Sequence, residues 1–379
     1  MTKPNTTYHP LGDYIRPVDV RNRDLQVTKL LGLSIEKCFI PSIANTIGTD
    51  MSTYKVVMPG QFAYGPVTSR NGDKITIALY TGDEPAIISQ AYVVFEIMDA
   101  GVPVETHGRA SLPDAPSQLL PEYLMMWFRR PEFDRYARYH SHGSAREIFD
   151  WAEMCATMVP VPPITEQRAV VADYEAVARR IAVAKRTIAT LQTTAQTLYR
   201  KMFVDGIDKE NLPEGWKWGT LGEVCEISSG KSSIDKVDER SDDYPYPVAG
   251  AAGIIGYSSQ FNQNERLITT GRVGTIGKAI KYKERIWTSD NVLVLKSKYY
   301  EFCYNSLFLV DYEEIKKGGV QDLITQTDLK AVPILVPSKS SLIDFEQKAS
   351  VIAQNIELHS KEIEKLTEIQ TIILSGLGR

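Results

Sequence analysis

The chain has only four cysteines, Cys38, Cys155, Cys225 and Cys303, and none forms a Cys-x-x-Cys pair with another. That spacing excludes a zinc ribbon and a disulfide-stapled framework, and it reads as reduced, partly buried thiols. Long apolar runs are missing as well: no stretch reaches the roughly 18–20 residues that span a bilayer. The opening MTKPNTTYHPLGDY is polar and lacks the apolar core of a secretory signal, so a cytoplasmic location is expected. There is no excess of positive charge. With 43 Lys and Arg against 47 Asp and Glu, the formal net charge is −4, which argues against a protein that coats nucleic acid indiscriminately and leaves room for a local basic groove.

What is present is a long chain of 379 residues, 43% hydrophobic and 24% charged, which suggests two or three globular units. Its most informative feature is an internal repeat. From Val170, apolar residues recur at alternating steps of four and three through Tyr174, Val177, Ile181, Ala184, Ile188, Leu191, Ala195, Leu198 and Met202. A second ladder lies 175 residues further on: Phe345, Ala349, Ile352, Ile356, His359, Ile363, Leu366, Gln370, Ile373 and Leu377. A sustained 3.5-residue period keeps one helical face against a partner, so both segments are expected to be long coiled-coil helices. Buried helices of one globular core are the bland alternative. The length of the ladders and the charged flank KEIEKLTE (361–368) favour rods, each of roughly 50 Å at 1.5 Å per residue.

Both ladders follow proline-marked stretches, VPVPPITEQ (159–167) and VPILVPSKSSLIDFEQ (332–347), in which Pro162 matches Pro337 at the same shift. Glu166-Gln167 and Glu346-Gln347 match at a shift of 180 instead. Ahead of each helix lie short strands and turns. DKITIALYTGDEPAIISQAYVVFEI (73–97) and GKAIKYKERIWTSDNVLVLKS (277–297) both alternate like paired strands, and Ser89 and Val94 match Ser289 and Val294 at a shift of 200. The difference between the shifts places about 25 extra residues in the first copy, and the turn-rich segment 99–121 is the expected site. VDGIDKENLPEGW (204–216) reads as the joint between the copies.

The loop LITTGRVGTIGKAI (267–280) spaces three glycines by three beside Arg272 and Lys278. A phosphate-cradling Walker loop fails here, because Arg272 stands where glycine is required and Ala279 where Ser or Thr should hold magnesium. A dinucleotide fingerprint opens a helix, whereas this loop runs on into the strand-like AIKYKERIW. What stays open is a hairpin whose glycines only satisfy turn geometry, or a loop that brings backbone close to a larger ligand. His140 and His142 in YHSHGSAR (139–146) lack a third or fourth metal ligand nearby and read as a polar loop.

Taken together, LPEGWKWGTLGEVCEISSGK (212–231), ITTGRVGTIGKA (268–279), WTSDNVLVL (287–295) and the proline runs leading into long helices resemble the specificity subunit of type I restriction-modification systems. GQFAYGPVTSRNGDKITIA (60–78) and IISQAYVVFEI (87–97) resemble a variant target-recognition domain. The resemblance implies an α+β fold with two target-recognition domains of mixed strands and short helices. Two long antiparallel coiled-coil helices separate them, and the chain has a pseudo-two-fold internal repeat. The expected division is 1–158 for the first recognition domain, 159–205 for the first helix, 206–335 for the second domain and 336–379 for the second helix.

It also implies a non-catalytic reader of a bipartite site in double-stranded DNA. Such a reader scaffolds modification subunits, joined by restriction subunits that carry translocase and nuclease activity. No cofactor is expected on this chain; S-adenosylmethionine, ATP and Mg are expected on its partners. The chain lacks the Asn/Asp-Pro-Pro-aromatic motif of adenine methyltransferases, and DYEEIK (311–316) is too common to mark a nuclease.

Within that resemblance the glycine loop becomes DNA-facing. Arg272 and Lys278 are candidates to neutralise phosphates, or for Arg272 to fork onto a guanine. Thr288, Ser289 and Asn291 precede a strand, where capping a turn is the plain alternative. Lys231 ends the first quoted motif. In the first copy the candidate contacts are Tyr64, Arg70, Asn71, Lys74, Gln90, Ser144 and Arg146. Two rival readings differ in class: a nucleotide-binding enzyme using the Gly271–Gly277 loop, and an inert coiled-coil scaffold.

Overall fold

The computed structural model describes residues 7–42, 48–69, 71–98, 118–143, 146–318 and 322–378. It divides into two compact units, Met1–Ala182 with Ile363–Arg379, and Val183–Glu362. The first holds strands β1 (Tyr8–Pro10), β2 (Ile15–Val18), β3 (Leu31–Leu33), β4 (Phe39–Pro41), β5 (Lys55–Val57), β6 (Phe62–Tyr64), β7 (Ile77–Leu79), β8 (Ala86–Ile88) and β9 (Val93–Ile97). Helices α1 (Pro121–Phe128), α2 (Pro131–Tyr139) and α3 (Trp151–Ala156), strand β10 (Met158–Pro160) and the long helix α4 (Ile164–Phe203) follow. Prolines open α1 and α2 at the position where a missing N–H costs nothing.

The second unit holds β11 (Lys217–Thr220), α5 (Leu221–Val224), β12 (Glu226–Ser229), β13 (Tyr246–Gly250), β14 (Gly253–Ser258), β15 (Leu267–Gly271), β16 (Ile280–Tyr282), β17 (Trp287–Thr288) and β18 (Val292–Lys296). After these come α6 (Tyr300–Ser306), α7 (Tyr312–Ile315), α8 (Gln326–Lys330), β19 (Pro333–Val336) and the second long helix α9 (Lys339–Gly376).

The two units share a plan. In each, the entering strand pairs antiparallel with the strand that leaves for the long helix: β1 with β10, and β11 with β19. Each has a four-stranded antiparallel sheet in equivalent order, β2-β9-β6-β7 in one and β12-β18-β15-β16 in the other. Val94 pairs with Ala63 and Val18, and Val294 with Thr269 and Ser228. The two valines that match at a shift of 200 therefore stand in the same place in both sheets. The copies differ where β5 pairs antiparallel with β8 but β13 pairs parallel with β17. Much of the expected insertion at 99–121 lies outside the described residues.

The ladders are the buried faces of the long helices. All ten rungs of each are buried or half-buried, and the intervening positions are mostly exposed. In the first unit Val171 and Tyr174 near the start of α4 share a core with Ile373, Leu374 and Leu377 at the end of α9, beneath Phe62, Phe95 and Phe128. In the second, Tyr199 and Phe203 at the end of α4 pack with Phe345 and Ala349 near the start of α9 and with Phe302. Start meets end in one unit and end meets start in the other, which is the pairing of antiparallel helices.

Each helix entry is tied to its unit by a polar side chain, Gln167 buried and Glu346 half-buried. Gln167 accepts from the Leu120 N–H (2.9 Å) and donates to the Gln118 carbonyl (2.8 Å), both at the head of α1, and to the Pro162 carbonyl (2.8 Å) ahead of its own helix. Glu346 accepts from the N–H groups of Phe302 (2.7 Å) and Glu301 (3.2 Å) at the head of α6. These bonds satisfy N–H groups that a helix start leaves without partners.

Candidate nucleic-acid interface

In the second unit six of the sequence candidates converge at one end of the four-stranded sheet. β15 ends in Gly271, and Arg272 then bonds on both sides: its N–H donates to the Asn291 carbonyl (2.8 Å) and its carbonyl accepts from Ile324 (2.9 Å). The Lys231 N–H donates to the Thr288 carbonyl (2.9 Å), and Ser289 donates to Ala249 (3.0 Å). Lys278 closes the group through its Nζ on the Ala252 carbonyl (2.7 Å). Lys231, Lys278, Asp290 and Asn291 are exposed, while Arg272 is half-buried with its Nε lacking a partner among the described residues.

The glycines answer to close approach as well as to turns. A Cβ on Gly271 would collide with the Thr275 carbonyl, and one on Gly230 with the Ser289 carbonyl. Gly274 and Gly277 take positive φ, 78° and 80°, as the loop reverses. Tyr312 packs against Gly277, and burial pushes its phenol up to about 12.

Thr288 and Ser289 are buried. Thr288 is held by Asn262, whose Oδ1 accepts from the Thr288 N–H (2.9 Å) and hydroxyl (3.1 Å) while its Nδ2 donates to the Thr288 carbonyl (3.0 Å). These two residues fix the turn; the exposed side chains at its tip are Asp290 and Asn291.

The first unit assembles a comparable end. Gly65 follows β6, and the carbonyl of Pro66 accepts from Phe149 (2.8 Å) as that of Arg272 does from Ile324. Pro66 therefore stands in the place of Arg272, and the segment with Arg70, Asn71 and Lys74 lies further along the loop. Asn71 donates to the Val67 carbonyl (3.2 Å), Lys74 pairs with Glu36 at 3.0 Å, and both Arg146 and Gln90 are exposed. Tyr64 is fully buried in the core beside Phe95 and Phe149, with its phenol pushed up by burial, so its place is internal. Arg70 and Ser144 lie outside the described residues.

A further correspondence escaped the sequence reading. Val67 bridges Ile148, which also bridges His142; Val273 bridges Leu323, which also bridges Lys317. Ile148 and Leu323, and His142 and Lys317, are again 175 apart, whereas Val67 and Val273 are 206 apart; at the shift of 175 also lie Asp150 and Thr325, the caps of α3 and α8, and Glu153 and Asp328 within them. His142 and His140 face Glu153 at 3.6 and 3.0 Å, and Lys317 meets Asp328 at 2.5 Å, holding that carboxyl below its usual range. The two histidines thus anchor a hairpin to a helix cap, and no group of three or more metal-ligating side chains occurs among the described residues. Only the carboxylates and the apolar pair before each cap could have signalled this in sequence.

Residues 213–372 match the family model described as the type I restriction modification DNA specificity domain. The matched stretch, 213–372, is similar to such a specificity domain and takes in less than half of the chain. No curated protein matches the chain. The S subunit of a type I restriction-modification system from M. genitalium aligns over 99% of this chain and 97% of its own, at 14% identity and a TM-score of 0.58, and so shares the fold. The HsdS subunit from Thermoanaerobacter tengcongensis aligns over 99% and 97% at 19% identity with a TM-score of 0.36. A structure described by the complex assembly and conformational transition of the type I R-M system gives 19% identity over 99% and 98%, with a TM-score of 0.47. The matched range contains Lys231, Arg272, Lys278, Thr288, Ser289 and Asn291. Residues 1–182 of the first unit, whose sheet repeats the topology of the second, fall outside the matched range. No described helix is long and apolar enough to cross a membrane.

Proposed function

We propose that the chain is the DNA-recognition subunit of a type I restriction-modification complex, with each unit reading one half of a bipartite site. The observation that carries this reading is the duplication: one sheet topology occurs twice, and each copy gathers polar and basic side chains at the same sheet end. Lys231 and Lys278 neutralise phosphates, which position the protein, and Arg272 offers a donor fork toward a base edge. The chain supplies recognition alone. Methyl transfer from S-adenosylmethionine, and ATP- and Mg-dependent steps, belong to modification and restriction subunits that dock on it.

The test is to express the chain with its modification partner and map methylated bases across a genome. A two-part motif that depends on this chain is the expected result; methylation independent of the chain, or a motif with one undivided half, defeats the reading. Lys231→Ala and Lys278→Ala should each weaken binding uniformly across sequences and reduce the slope of log affinity against log salt by about one.

A further inference from the structure

Both units build the same four-residue turn between equivalent strands, and they differ at its tip. In the first unit the turn runs from Ser89 to Tyr92 and is closed by the Tyr92 N–H on the Ser89 carbonyl (3.1 Å). In the second it runs from Ser289 to Val292, closed by the Val292 N–H on the Ser289 carbonyl (3.2 Å). The residue before each turn, Ile88 or Thr288, is fully buried, and the strand after it is the second strand of the four-stranded sheet. The base is therefore rigid in both copies, whereas the two central residues are exposed: Gln90 and Ala91 in one, Asp290 and Asn291 in the other.

The second turn is held from four sides. Asn262 clamps Thr288, the Lys231 N–H reaches the Thr288 carbonyl, Ser289 bonds Ala249, and the Asn291 carbonyl receives Arg272. None of these bonds uses the side chains of Asp290 or Asn291. A rigid turn whose exposed tip carries uncommitted amide and carboxylate groups is what base reading requires, because freezing those groups beforehand removes the ordering cost.

We infer that the turns 89–92 and 289–292 are the base-reading heads of the two units, and that the tip pairs Gln90-Ala91 and Asp290-Asn291 determine the sequence of each half-site. The inference rests on the DNA-recognition reading and assigns specific contacts within it. The chemistry fixes the bases: the amides of Gln90 and Asn291 each suit adenine, offering one donor and one acceptor to N7 and N6. The Asp290 carboxylate accepts from the cytosine N4 amine, and the Ala91 methyl suits the thymine methyl. Asn262 is a positioning residue, acting through Thr288.

The experiment selects duplexes from a randomised pool with the full chain assembled with its modification subunits, comparing the parent with Asn291→Ala, Asp290→Asn and Gln90→Ala. Asn291→Ala is expected to lose about ten- to hundredfold discrimination at one A·T pair of one half-site, leaving the other half as it was. Gln90→Ala does the same in the other half, and Asp290→Asn relaxes a C·G pair next to the one read by Asn291. Asn262→Ala relaxes the pairs read by Asp290 and Asn291 and leaves the rest of that half-site as selective as in the parent, whereas a purely structural lesion would blunt the whole half-site. Thermal unfolding of each variant guards against misfolding, and the exposed tip positions are expected to melt with the parent. A parent that selects a bipartite motif, with all three tip variants selecting it at undiminished discrimination, overturns the inference and leaves the DNA-recognition reading standing. A parent that selects no bipartite motif overturns both.

Discussion

At the level of single residues, the interface depends on how little room its backbone leaves. Gly271→Ala places a methyl group against the Thr275 carbonyl and should cost about 2–4 kcal/mol, read as a lowered denaturation midpoint with loss of the second half-site. Glu357 shows the opposite sensitivity. Hydrogen bonds from Lys283 (2.5 Å) and Lys361 (2.9 Å) lower its carboxyl to about 2. A folded pKa below the unfolded one contributes stability above the unfolded value, and that contribution disappears as pH falls from about 4.5 toward 2. Because the groups are largely solvated, Glu357→Gln should cost at most about 1 kcal/mol at neutral pH, and the difference from the parent in urea midpoints should shrink over that acid window. Arg272, Lys278 and Asn291 could be singled out in sequence as candidates because their residue types, beside a glycine-rich loop and a turn, suit a DNA contact. The internal place of Tyr64 could not, since an aromatic between glycines reads equally well as core or contact. The clamp by Asn262 was equally hidden: it spans 26 residues and depends on register.

Among the secondary-structure elements, the long helices were the most legible, because a 3.5-residue ladder depends only on local spacing, and both helices start six residues before the first rung: Ile164 before Val170 and Lys339 before Phe345. The short strands were legible as alternation without partners, and the order of the sheet follows from contacts too distant for periodicity to reveal. The Glu-Gln pairs illustrate the limit. They match in sequence at a shift of 180, yet the first unit uses the second member, Gln167, and the second unit the first, Glu346. Replacing Gln167 by Ala strips partners from one buried N–H and two carbonyls, and should cost about 2–3 kcal/mol in chemical denaturation. The equivalent truncation at Glu346 exposes two N–H groups at the head of α6. Burial raises the Glu346 carboxyl, so part of the loss there is offset by removing a charge that the core solvates poorly.

For the molecule as a whole, α4 and α9 each begin in one unit and end in the other, and on the proposed DNA-recognition reading helix length is the variable that the spacer of a bipartite site would follow. Deleting two matched heptads from both helices, about 21 Å of rise, should change the preferred spacer while both half-sites keep their sequences. An altered half-site with an unaltered spacer would argue against helix length as the ruler. The duplication was visible as three numerical shifts, 175, 180 and 200, whose disagreement reflects insertions between elements that otherwise correspond. The chain's entry and exit strands also zip together at the neck of each unit, Tyr8 against Pro160 and Lys217 against Val336. Everything between those necks is a cassette with adjacent ends. Genetic exchange at the necks could therefore replace one reading module wholesale, giving a new target while the helices and the partner's half remain as inherited.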